Sequence, residues 1–115
     1  MENAFEIDEA TPITANQWQV KGRASLQLEV GDTIFGAVGR TYEFIIRPDR
    51  VDSILHEPEG GPKLYPFQIV GILTYGRELD LLGRGMTGML TLEGDNGETL
   101  LDTKYLVVLE EASTG

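Results

Sequence analysis

The sequence predicts an all-β fold: a small closed antiparallel β-barrel of about six to seven strands with Greek-key-like connections. Three observations carry that expectation. Apolar and polar residues alternate at the period of a half-buried strand, most clearly over residues 18–24 and 89–93. Fourteen glycines and five prolines are dispersed between the apolar runs as turn punctuation. No amphipathic stretch of helical period and ordinary length interrupts the series, which favours a barrel or sandwich over a parallel sheet.

The elements follow in order. Phe5 and Ile7 flank Glu6 in an opening strand, and TPITAN (residues 11–16) reads as a connection, with Pro12 and Asn16 as turn residues. Trp18, Val20, Gly22 and Ala24 then share one face of a strand, so Trp18 is read as core. Leu26, Leu28 and Val30 continue the alternation, with a bend near Gly22. Gly31-Asp32 is a turn, residues 33–38 a strand, and Gly39-Arg40 another turn. In TYEFIIR (residues 41–47) Tyr42, Phe44 and Ile46 share a face, and Pro48 ends the strand. Residues 48–66 are the least regular part, with four prolines and a Gly-Gly pair, and read as an insertion. Within it VDSIL suits either a short strand or one helical turn.

From Phe67 the pattern returns. Residues 67–75 form a strand, 77–82 a polar connection or helical turn, and MLTLE (89–93) a strand. Asn96-Gly97 is the strongest short hairpin signal, since a type I′ turn needs positive φ at both positions. A last strand over 103–109 precedes a frayed tail, 111–115. The expected organisation is one barrel domain spanning residues 1–115.

Composition excludes several function classes. There is no cysteine, hence no disulfide framework or thiol chemistry. The first ten residues carry neither a basic residue nor an apolar run, so no signal peptide is expected, and the default location is cytoplasmic. No run is long enough to span a bilayer as a helix. The net charge of −10 favours solubility and a basic partner, and repels nucleic-acid phosphates.

Taken together, these segments resemble the β-barrel second domain of translational GTPases, the domain after the G domain of elongation factor Tu. Phe5-Glu6-Ile7 stands where that family has Phe-x-Ile, and Val20-Lys21-Gly22-Arg23 where it has Val-x-Gly-Arg. Leu28-Glu29-Val30-Gly31-Asp32 matches its Leu/Ile-x-Val-Gly-Asp turn, and residues 85–94 fill its Gly-x-x-Gly-x-x-Leu-x-Gly position. The insertion at 48–66 departs from the pattern, and no phosphate-binding loop is present. The resemblance implies the barrel, and an RNA- or ribosome-associated role without GTP hydrolysis.

No catalytic constellation is visible, so no enzyme activity, cofactor or metal is expected. His56, the only histidine, lies near Asp49 and Asp52 and beside Ser53, but sequence neighbours alone do not make a metal site or a triad. Arg47, Arg50, His56, Lys63 and Tyr65 are the candidate binding residues, placed on one rim where they would meet an anion or an acidic segment. The leading expectation is a non-enzymatic module binding a protein partner through the 48–66 segment or an exposed strand edge. A homodimer is a further expectation, because open edges pair readily.

Overall fold

A computed structural model describes residues 1–109 and contains eleven strands and one 3-10 helix. In chain order the strands are β1 (Glu2–Thr14), β2 (Gln17–Ala24), β3 (Leu28–Glu29), β4 (Thr33–Val38), β5 (Thr41–Ile46) and β6 (Val51–His56). They continue as β7 (Lys63–Thr74), β8 (Arg77–Leu79), β9 (Leu81–Leu82), β10 (Thr87–Glu93) and β11 (Tyr105–Val108). The 3-10 helix, Gly97–Asp102, precedes β11.

The sheet runs β10-β2-β1-β11-β4-β7 and closes on itself because β7 also pairs β10. The result is a closed six-stranded antiparallel barrel, with β8 as an extra strand on β7. Closure pairs every ring strand on both sides for at least part of its length, which limits the usual hazard of exposed backbone groups. The two-residue alternation decides what fills it, except in β7, where a register shift past Val70 turns both Ile69 and Ile72 inward. Val20 and Ala24 of β2, Leu90 and Leu92 of β10, and Ile69 and Ile72 of β7 all lie buried in one core with Phe5, Ile34 and Phe67.

Both ends are plugged. Where β2 finishes and β10 begins, β3 pairs β9 and buries Leu28 and Leu82. At the other end the 3-10 helix drops Leu100 into the core, and Trp18 packs half-buried against it.

Gly22 faces Gly88 across the β2–β10 ladder. A side chain at Gly22 would overlap the Glu6 carbonyl, and one at Gly88 would come within 2.9 Å of the Leu73 carbonyl oxygen. The pair therefore marks a corner where strands pass at backbone contact, which only glycine permits.

Four expectations are corrected. TPIT belongs to β1, which runs on to Thr14 and pairs β2. Its Pro12 is tolerated because β11 covers β1 only over residues 2–6, leaving the far half one open side. Residues 77–82 are the short strands β8 and β9, reached through a tight turn in which both Tyr75 (φ 49) and Gly76 (φ 75) are left-handed. Asn96-Gly97 opens the 3-10 helix instead of a hairpin.

The insertion at 48–66 is the fourth. VDSILH is β6, a full strand paired with β5, and Lys63 onwards already belongs to barrel strand β7. Apart from the turn at 48–50, only residues 57–62 lie outside strands, and Pro58 packs over Gly39 there. The tail at 111–115 lies outside the described residues. Among the described residues no helix is long and apolar enough to cross a membrane.

Candidate functional site

β5 and β6 form a two-stranded sheet of their own, a hairpin that pairs with no barrel strand. RPDR makes its turn, with the Arg47 amide donating to the Arg50 carbonyl at 2.8 Å. Pro48 suits the second position of such a turn, where its fixed φ is already correct. The register pairs Tyr42 with Leu55, Phe44 with Ser53 and Ile46 with Val51. Because side chains alternate, these six share one face, and the other face carries Glu43, Ile45, Asp52, Ile54 and His56.

The first face is apolar and open. Ile46 is 84% exposed, Val51 65%, Phe44 54% and Leu55 43%. On the second face Asp52 is clasped by two guanidinium groups: Arg47 Nε at 2.8 Å from one oxygen and Arg50 Nε at 3.3 Å from the other. His56 Nε2 lies 2.9 Å from Glu43 Oε2.

The hairpin leans on the barrel at its base. The Tyr42 ring meets Tyr105 of β11 at 5.2 Å between centroids, with the planes 59° apart. Arg40, at the entrance, binds Glu57 at the exit, with Nη2 2.6 Å from Oε1. The Lys104 ammonium sits among the aromatic rings, 4.5 Å from Phe44, 5.7 Å from Tyr42 and 5.8 Å from Tyr105.

Burial at this junction is written into the phenols. Tyr105 is pushed up to about 12, first by loss of water and then by Glu6, which accepts its hydroxyl hydrogen and opposes a second negative charge. Tyr42 is raised as well, chiefly by burial. The neighbouring Arg40 pulls it back only in part and leaves the buried Tyr42 Oη without an ordinary hydrogen bond. Since both folded-state values lie above the unfolded one, the stabilisation is complete below about pH 10 and is lost as the pH rises towards 12. Urea melts repeated from pH 9 to 12 are expected to show falling stability above pH 10, with a smaller fall in Tyr105→Phe. An equal fall in both would place the titrating group elsewhere.

The structure splits the five candidate residues into three places. Arg47 and Arg50 come together at the hairpin tip through Asp52. His56 stands at the other end of β6, about 17 Å away along five strand residues, engaged with Glu43. Lys63 and Tyr65 lie on β7, opposite Val38 and Gly36, with the ammonium 5.4 Å from the Tyr65 ring. A single anion-binding rim does not result. Ser53 and His56 point to opposite faces of β6, so they cannot act together as nucleophile and base. Among the described residues no three of His, Asp or Glu are grouped so as to hold a metal ion.

Lys104 and Tyr105 gave no signal in the sequence, because they join Tyr42 and Phe44 only through the fold. The hairpin did leave one: two apolar-polar runs of equal length flank RPDR, a four-residue turn with Pro in its second position. No family model, no curated protein and no solved structure matches the chain.

Proposed function

We propose that the protein is a non-enzymatic interaction module in which the barrel is the scaffold and the β5–β6 hairpin recognises a protein partner. One observation carries the reading: the hairpin holds an apolar face open to solvent, with Ile46 84% and Val51 65% exposed, while adding no strand to the barrel. A two-stranded hairpin is marginal alone, and clustered exposed apolar side chains mark interaction sites. The net charge of −10 makes a basic surface the easier one to approach.

The test is capture of partners at low salt, identification by mass spectrometry, and reconstitution of the purified pair. Ile46→Asp/Val51→Asp is expected to weaken that pair at least about tenfold, as loss of central apolar anchors does, with the melting temperature unchanged. Unaltered affinity in the double variant would overturn the reading. A second copy of this chain as the partner would show itself as a concentration-dependent mass, abolished by the same variant.

The resemblance to the second domain of translational GTPases supports a second reading, an RNA- or ribosome-associated factor without its own GTPase. It predicts RNA retention that falls steeply with salt. The acidic charge weighs against it.

A further inference from the structure

We propose that Tyr42, Phe44 and Tyr105 form an aromatic cage for an alkylated ammonium group, the methylated lysine side chain of a basic partner, and that Lys104 is its resident occupant. The chain itself displays the ligand chemistry. Its Lys104 nitrogen stands 4.5–5.8 Å from three ring centroids. In a protein with 19 acidic residues, and among those described, that ammonium makes no ion pair with a carboxylate. Its neighbours are the negative faces of rings, the environment that suits cations with a weakly held water shell.

An alkylated ammonium fits this place better than a primary one. Rings offer no acceptor to replace the hydrogen bonds that a primary ammonium gives up on leaving water, whereas an alkylated group gives up few or none. Electrostatics point the same way. Glu6, hydrogen-bonded to the Tyr105 hydroxyl, brings negative charge to the barrel side of the cage, and the chain as a whole carries −10.

Lys104 is able to leave without disturbing the barrel. Its backbone is held by the Ile7 amide, which donates to the Lys104 carbonyl at 2.7 Å, while the ammonium lies at the end of a flexible stem. As a tethered occupant it competes at an effective concentration of about millimolar. The cage spans two bodies, since Tyr42 and Phe44 come from the hairpin and Tyr105 from the barrel. Filling it would therefore fix the recognition hairpin against its scaffold.

The identity of the partner rests on the interaction-module reading, but the cage is testable without a partner. Tetramethylammonium chloride is titrated, at constant ionic strength, into wild type, Lys104→Gln and Lys104→Gln/Phe44→Ala, reading aromatic ring resonances by NMR. Lys104→Gln is expected to give saturable shifts at all three rings, with affinity above wild type once the tethered competitor is gone. Adding Phe44→Ala should lower it again about tenfold, within the span of a desolvated cation–π contact. Phe44 is 54% exposed, so its truncation spares the core. No saturable shift in Lys104→Gln, or shifts indifferent to Phe44→Ala, would overturn the cage.

N-acetyl-trimethyllysine amide and choline then separate the sources. Equal or tighter binding of the lysine derivative supports a protein side chain, and tighter choline overturns that assignment. The cage titration involves no partner, and the module test involves no ammonium probe. Failure of the cage and failure of the module are thus distinguishable.

Discussion

Gly22→Ala is expected to destabilise the barrel by about 3 kcal/mol or more, and to leave much of the protein insoluble. The added methyl would overlap the backbone carbonyl of Glu6 and come within 2.9 Å of the Phe5 ring. Neither neighbour has room to move. The Glu6 residue is held in ladders on both sides, by Tyr105 of β11 and Arg23 of β2, and Phe5 is fully buried. Overpacking against a flexible side chain is relieved by a rotamer change, but overpacking against sheet backbone must separate strands. Chemical denaturation compared with Ala24→Gly on the same strand checks the point. A Gly22→Ala midpoint within experimental error of wild type would mean that the corner is looser than its geometry.

The second large effect is expected at Gly97. A methyl there would fall onto the Trp18 indole. Trp18 is part of the packing that closes this end of the barrel, beside Leu100. Gly97→Ala must push the indole outwards or unseat the 3-10 helix, at about 1–3 kcal/mol. Trp18 is the only tryptophan, so its fluorescence reports the displacement directly. A red-shifted emission maximum with a lowered melting point is expected in Gly97→Ala. The double variant Trp18→Phe/Gly97→Ala should recover part of the loss relative to Trp18→Phe, because the smaller ring makes space. Unchanged emission and melting would remove the contact from the account.

Gly97 also shows how far the sequence could be read. Asn-Gly announces a hairpin because glycine relieves a left-handed backbone, yet Gly97 is not among the left-handed residues, and its need is for space beside Trp18. A dipeptide signal cannot separate those two causes, since the ring arrives from 79 residues away. The barrel wall was legible for the opposite reason. In β2 and β10 the inward face is largely buried, so the strands alternate, and that period, with Val20 on the Trp18 face, was visible.

The hairpin was legible only in part: β5 and the shared face of Tyr42, Phe44 and Ile46 were visible, but the pairing of β5 with β6 was not. The β5–β6 hairpin turns its apolar face to solvent, and its second strand has polar and apolar residues in an order that suits strand or helical turn equally. Pro48 was legible as a stop but not as the pivot of a turn. Of the candidate residues, Arg47 and Arg50 meet at the Asp52 carboxylate through a register that only the folded hairpin shows. The Tyr42–Phe44–Tyr105 cluster depended on docking of the hairpin base, which composition cannot reveal.

In the proposed division of labour the hairpin recognises and the barrel supports. Amide hydrogen exchange on the wild-type protein, free and saturated with its purified partner, tests it most directly. Slowed exchange is expected in β5 and β6, with the β2 and β10 amides unchanged because barrel pairing already protects them. Slowed exchange confined to the barrel wall, with residues 41–56 unaffected, would contradict it.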